Sequence, residues 1–310
     1  MLLQTKTSPT GWLAFELNVL RRLKFTSVAT PFTPEPALGN YLKRVNVKVM
    51  ANDPLQSAWT CSLATIQNNG ETLTDDDVNV ILEDVYVPGY KLANAALRSW
   101  FSETDAWWFD NIRRNLDRLQ SPFAFAIGAS LVMDVGDYVR SFIEETRELR
   151  QPLSNVFRRL WSLRAAPVNN GLNNTCQNKS VRDFIAENQG DLLFLRLPPS
   201  RVSNRFGIPD NAVWREEWLR GGNDFWPDFE SSRSGMLGMP VGTKSQYIDL
   251  LTHSLENAKH FRTWAVMHVE TGLISTEEII EAIRKVRKVA AVYSKDFSEL
   301  TGAKAVIITT

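Results

Sequence analysis

Residues 47–69, VKVMANDPLQSAWTCSLATIQNN, limit this chain more than any other stretch. An apolar run with the alternating and buried character of a strand ends at Asn52-Asp53-Pro54. A helical pattern follows at once and stops at Asn68-Asn69-Gly70, a C-terminal helix signal. The segment before it repeats the scheme. Leu13, Leu17 and Leu20 share a helix face in GWLAFELNVLRRLK; a short apolar run, SVATPF, follows, then ALGNYLKR, which predicts a short helix. A chain that alternates strand and helix in this order predicts a parallel sheet with right-handed crossovers, hence an α/β fold.

Residues 71–168 carry a different pattern. LTDDDVNVILEDV opens with a Thr/Asp cap before an apolar-periodic helix. ALRSWFSETDAWWFDNIRRNLDRL, DYVRSFIEETRELR and LSNVFRRLWSLR predict further helices, and no strand is expected. The stretch is therefore expected to form a helical insertion, with residues 1–70 and 169–310 forming the α/β domain. Its aromatics Trp100, Phe101, Trp107, Trp108 and Phe109 are expected in a helical core. Its end holds Arg150, Arg158, Arg159 and Arg164 without an acid between 149 and 164. Such a cluster is either a solvated helix face or a face for phosphates.

The α/β pattern returns at KSVRDFIAENQGDLLFLRLPP, a helix leading through Gly190 into a strand. Residues 201–246 give few regular signals and predict a long polar loop, in which Trp214, Trp218 and Trp226 argue against disorder. YIDLLTHSLENA predicts a helix and TWAVMHV a strand. Ser275 and Glu278 form a capping box for TEEIIEAIRKVRKV, and AAVYSK and AKAVIIT predict an antiparallel pair at the sheet edge.

The totals remove several function classes. Lysine plus arginine and aspartate plus glutamate both number 35, so nucleic-acid binding must rest on a local patch. Cys61 and Cys176 are the two cysteines and give neither a disulfide framework nor a zinc spacing. His253, His260 and His268 lack a carboxylate or cysteine at ligand spacing, so no metal is expected. No apolar run long enough to span a membrane is expected, and Glu16, Arg21, Arg22 and Lys24 break any signal-peptide pattern. A cytoplasmic location is the expectation.

Several segments, in one order, resemble the class of DNA adenine methyltransferases that use S-adenosylmethionine. They are the N-terminal helix and strand ending at Phe32, the stretch VKVMANDPLQSAWTCSLATIQNN, the strand GDLLFLRLPPS, and LENAKHFRTWAVMHVETGLISTEEIIEAIRKVRKVAAVY. The resemblance covers roughly residues 10–69 and 175–310. It implies a Rossmann-like methyltransferase sheet, mostly parallel with an antiparallel C-terminal edge, and places 71–168 where the family holds a target-recognition region. It also implies a restriction-modification setting.

The chain departs from the family at both functional motifs. The family's cofactor turn reads Phe-x-Gly-x-Gly; here Phe32-Thr33-Pro34-Glu35-Pro36 stands there. Proline fixes φ and has no N–H, so Pro34 and Pro36 remove what the glycines supply. Pro36 also suits the first turn of a helix. Glu35 brings a negative charge near where the cofactor's carboxylate would lie. Asp53 matches an acidic position that holds a ligand's polar groups, and equally suits a turn and helix cap. The family's Asp-Pro-Pro-Tyr motif aligns with Leu197, Pro198, Pro199 and Ser200. Leu197 cannot accept from a target amino group, and Ser200 has no face on which a flipped base could stack. The resemblance with these losses predicts a methyltransferase-like protein without methyl transfer and without a cofactor. It would bind duplex DNA, through Arg150, Arg158, Arg159 and Arg164, or an active methyltransferase subunit. The alternative is an active but divergent S-adenosylmethionine-dependent adenine methyltransferase, with Ser200, Asn204 or Asp210 as substitute acceptor.

Overall fold

The structure is a computed structural model and describes residues 11–84, 91–199, 208–270, 273–301 and 303–310. Helix α1 (Trp12–Leu20) leads to strand β1 (Ser27–Thr30), helix α2 (Ala37–Arg44), strand β2 (Lys48–Asn52) and helix α3 (Gln56–Ser62), which continues as a π-helical turn over Leu63–Gln67. Helices α4 (Asp75–Ile81), α5 (Glu103–Leu116), α6 (Pro122–Arg140) and α7 (Leu153–Ser162) follow, with no strand among the described residues between them. Strand β3 (Thr175–Gln177), helix α8 (Val181–Glu187) and strand β4 (Leu192–Arg196) return to the sheet. The chain ends with α9 (Asp210–Arg220), α10 (Trp226–Arg233), α11 (Lys244–Asn257), β5 (Thr263–Glu270), α12 (Thr276–Arg284), β6 (Ala291–Asp296) and β7 (Lys304–Thr309).

The seven strands lie in the order β3-β2-β1-β4-β5-β7-β6. From β3 to β5 neighbours are parallel; β7 is antiparallel to β5, and β6 to β7. This is the Rossmann-like sheet expected from the sequence, including its antiparallel C-terminal edge. The central strands β4 and β5 read as nearly unbroken apolar runs because both faces are covered, whereas the edge strands β3 and β6 are poorer in apolar residues and more exposed. Val28, Val49, Leu192 and Phe194 pack on one side with α1 and α2. Ala29, Met50, Leu193 and Leu195 pack on the other with α8, α11 and α12. Strand order reverses between β1 and β4, so the carboxyl ends of these two strands flank a crevice.

The helices between β2 and β3 gather around α6. Phe101, Phe109, Ile127, Leu131 and Phe157 share one apolar cluster, with Trp100 and Trp108 packed against it. Trp214, Trp218 and Leu219 of α9 belong to the same cluster, although α9 follows β4. The two parts of the molecule are therefore joined through α9 as well as through α3.

Four elements differ from the sequence expectation, the first being edge strand β3, which the sequence reading did not include. Two helices, α9 and α10, occupy much of 201–246, where a loop was expected. Helix α9 buries Val213, Trp214, Glu216, Glu217, Trp218 and Leu219. A helix covered nearly all round shows no polar stripe, so its period is hidden. Helix α6 begins at Pro122, well before the DYVRSF segment that announced it, and for the same reason. It ends at Arg140, and Glu144–Leu149 forms a separate 3₁₀ turn. By length and composition α6 could also cross a membrane, contrary to expectation; 72% of its apolar window is buried inside the protein.

Helix α9 is fastened to its surroundings by polar groups. The Glu216 carboxylate accepts from the backbone of Ser57 (2.5 Å) and Gln56 (3.1 Å), the first N–H groups of α3. Helix α3 has no side-chain cap of its own, so Glu216 serves as one from a distance. Glu217 accepts from the indoles of Trp100 (2.6 Å) and Trp226 (2.9 Å). Arg215 pairs with Asp137 of α6.

Where α6 and α9 cross, Gly136 faces the fully buried ring of Trp214, and a methyl group there would overlap that ring. Gly136→Ala is expected to lower stability by about 1–3 kcal/mol despite alanine's better helix propensity, because the rigid indole cannot yield. Chemical denaturation monitored by tryptophan fluorescence checks this, and an unchanged midpoint would contradict the packing described.

Candidate ligand cavity at the carboxyl ends of β1 and β4

A cavity of about 360 Å³ opens in the crevice. Phe32 and Pro34 line it after β1, Asp53 and Leu55 after β2, and Leu197, Pro198 and Pro199 after β4. Met267, His268 and Val269 of β5, Trp12 of α1, Arg233 of α10 and Tyr247 of α11 complete much of the wall. The altered turn and the Leu-Pro-Pro segment thus meet around one space, and that space is open. Its volume lies in the range, roughly 300–1,000 Å³, of small-molecule sites. Ser200 and Asn204 lie outside the described residues, and Asp210 opens α9 directly after the lining residues Ile208 and Pro209 without itself lining the cavity.

Asp53 is buried and its carboxylate is engaged by backbone. Oδ2 accepts from Thr33 N at 3.0 Å and Oδ1 from Leu55 N at 2.9 Å. The side chain thereby holds the turn after β1 against the turn before α3. Burial pushes its pKa up to about 7, against the downward pull of the Leu55 N–H, the Arg233 guanidinium and the Thr33 N–H; Glu216 adds to the rise. Pro36 precedes α2 as its N-terminal flanking residue.

The end of β4 is fixed by its neighbours. Leu197 N donates to Met267 O at 2.8 Å, and the Tyr247 hydroxyl donates to Pro198 O at 2.8 Å. Arg196 beside them forms a bidentate pair with buried Glu16 of α1, at 2.7 and 2.6 Å. Leu197 lines the cavity just after β4 with a hydrocarbon side chain. Asp53 is the sole acid among the described lining residues. His268 donates through Nε2 to Ile274 O at 3.1 Å, and burial lowers its pKa against the upward pull of that carbonyl and of Glu270.

Arg233 was not foreseen. It is 7% exposed, its guanidinium carbon lies 4.6 Å from the centre of the Phe229 ring, and Nη2 is 3.5 Å from Gly238 O. Gly238 has φ +97°, and a Cβ there would press on both Phe32 and Arg233. No motif marks this arginine; the neighbouring Gly235 and Gly238, both at positive φ, are the local trace of the tight loop that holds it.

The four arginines of the expected phosphate-contacting cluster divide. Arg150 pairs with Asp105 at 3.0 Å, and Arg164 donates to Ser130 Oγ at 3.1 Å and Ala64 O at 3.4 Å. Those two guanidiniums have protein partners. Arg158 and Arg159 lie on the exposed face of α7, where Arg158 donates to Asn79 Oδ1 at 3.2 Å. The described residues contain no group of three or more metal-ligating side chains. His253 lies beside Asn257, and His260 contacts Asn188 O.

S-adenosylmethionine is the cofactor that the resemblance implies, and the turn after β1 does not fit it in the family's manner. Pro34 and Pro36 have no N–H, and the Thr33 N–H is taken by Asp53. The cavity has the volume for a nucleoside, but the backbone donors that a glycine turn would present are missing at these positions.

The raised pKa of Asp53 has a measurable consequence. The folded chain keeps a proton between the ordinary carboxylate pKa and about 7, whereas the unfolded chain releases it. Stability from this group therefore falls as pH rises from about 4 to about 7, then levels. The difference in unfolding free energy between wild type and Asp53→Asn is expected to shift against wild type over that window by up to about 4 kcal/mol. Urea unfolding of both proteins at pH 4.5, 6 and 8 checks it; a constant difference would contradict the buried, protonated carboxyl.

No family model matches the sequence. Over 321 residues the chain is 25% identical to the type II methyltransferase M2.HphI of Haemophilus parahaemolyticus, spanning 94% of this chain and 89% of that protein. Sequence likeness along nearly the whole length, together with the strand order of the sheet, makes this a methyltransferase-like α/β chain.

Proposed function

We propose that this chain is a DNA adenine methyltransferase-like protein that does not transfer methyl groups and acts as a scaffold for nucleic acid, in a cytoplasmic restriction-modification setting. Leu197 carries the proposal. It stands at the carboxyl end of β4, beside the cavity, where a methyltransferase acting on an exocyclic amino group needs an acceptor. Losing a positioned polar group at a reacting centre typically costs about two to three orders of magnitude in rate. The sole acid among the described lining residues, Asp53, already holds two backbone N–H groups. Arg158 and Arg159 on α7 are the phosphate-contacting residues of this reading, and pairing with an active methyltransferase subunit is its protein-binding form.

The open cavity is the observation that favours a second reading, an active but divergent adenine methyltransferase. Incubation with tritiated S-adenosylmethionine and unmethylated adenine-rich duplex DNA separates the two. No incorporation above the Asp53→Ala control is expected; incorporation that depends on Asp53 would establish the second reading.

The nucleic-acid arm has its own test. Arg158→Ala/Arg159→Ala is expected to weaken duplex binding in a mobility-shift assay and to reduce the slope of log affinity against log salt by about 2. An unchanged slope would remove α7 as the contact face.

A further inference from the structure

Two segments distant in sequence meet at the end of the sheet opposite the cavity. Residues 258–262 lead from α11 into β5, and residues 285–290 lead from α12 into β6. Strand β6 runs parallel to β5, since both are antiparallel to β7. Both segments therefore lie at the amino ends of these strands. Arg287 ties them together. Its guanidinium carbon lies 4.2 Å from the centre of the Trp264 ring. Its Nη1 donates to Phe261 O at 2.8 Å and Arg262 O at 3.1 Å, and its Nη2 donates to Lys259 O at 2.8 Å.

The residues joined in this way are basic. Lys259, Arg262, Lys285 and Lys288 are all exposed. None of the four side chains forms a hydrogen bond or an ion pair among the described residues. No acid occurs in 257–269 or in 282–295. Of the nearby acids, Glu281 pairs with Arg284, Glu187 pairs with Lys179, and Asp191 accepts from Thr26 and Ser27. Glu256 is left as the acid bordering four cations. Helix C-termini attract cations, and α11 and α12 both end here, but that effect is confined to the last turn. Arg262 and Lys288 stand beyond it. Like charges gathered on fixed backbone repel one another, and a polyanion relieves that repulsion. Val286 and Val289, interleaved with the basic residues, pack inward on the core. The face thus lacks the apolar side chains by which an amphipathic segment enters a membrane.

We propose that Lys259, Arg262, Lys285 and Lys288 form a second nucleic-acid contact, which takes the phosphates of a duplex at the end of the sheet away from the crevice. The choice of nucleic acid among polyanions rests on the nucleic-acid reading above; the face itself does not.

Mobility-shift titration of the full chain with duplex DNA over a series of salt concentrations tests it. Lys259→Gln/Arg262→Gln and Lys285→Gln/Lys288→Gln are each expected to weaken binding and to lower the slope of log affinity against log salt by about 2. Lys295→Gln/Lys304→Gln removes the same charge at the opposite ends of β6 and β7 and is expected to leave the slope unchanged. All six side chains are exposed, so wild-type thermal midpoints are expected throughout. An unchanged slope for either amino-end pair, an equal loss in the Lys295/Lys304 variant, or no duplex binding by wild type would overturn the proposal. So would equally tight binding of polyglutamate or of phosphatidylserine vesicles. Arg158→Ala/Arg159→Ala in the same assay keeps the two faces apart. A slope lowered by that variant alone removes the amino-end face and keeps α7; a slope lowered by the amino-end pairs alone does the reverse.

Discussion

The carboxyl group of Asp53 joins the two turns on which the crevice depends. One oxygen takes the N–H of Thr33 and the other that of Leu55. The loop after β1 and the start of α3 are thereby set at a fixed separation, and the cavity wall follows from it. Burial makes the ionised form expensive, so the proton is retained to about pH 7 and the tie is a nearly neutral one. The proline-bearing turn needs such a tie, since neither Pro34 nor Pro36 can donate to its neighbours.

Helix α9 extends this arrangement into the helical part. Glu216 ends the orphaned N–H groups of α3, and Glu217 gathers two indole N–H groups from α10 and from the 95–100 region. Each buried carboxylate is hydrogen-bonded, which is the condition under which burial of a charge is tolerated. Trp214 and Trp218 then fill the space against α5 and α6, and Trp218 donates to Phe109 O at 2.9 Å. Polar contacts set where α9 lies; the tryptophans supply the apolar area that keeps it there.

The sheet was legible because its strands are short, apolar and bounded by turn residues. Asn52-Asp53-Pro54 marked the end of β2, whose last paired residue is Asn52. Ser275 and Glu278 marked the start of α12, and the capping box is present. The two longest of the missed helices share one cause. Helices α6 and α9 are buried on most sides, so neither displays the polar stripe by which a surface helix is recognised. The cavity was partly legible: Phe32, Pro34, Asp53 and Leu197, residues singled out in the sequence, line it. Arg233 and Trp12 were not, because no spacing in the sequence announces that a residue after β4 and another before β1 will share a wall. The cluster of arginines read as a unit in sequence is divided in space, since a helix and the turn before it send Arg150 and Arg158 to different surroundings.

Helix α9 also decides how this architecture can be taken apart. It belongs to the sheet by chain order and to the helical bundle by its tryptophans. Excising residues 71–168 as a cassette would strand two fully buried indoles and expose the apolar side of α3 with them. Grafting in a foreign recognition module between β2 and β3 would meet the same obstacle unless α9 were replaced too. Diversification of such a chain is steered toward outward-facing positions on α4, α5 and α7, leaving the shared seam intact.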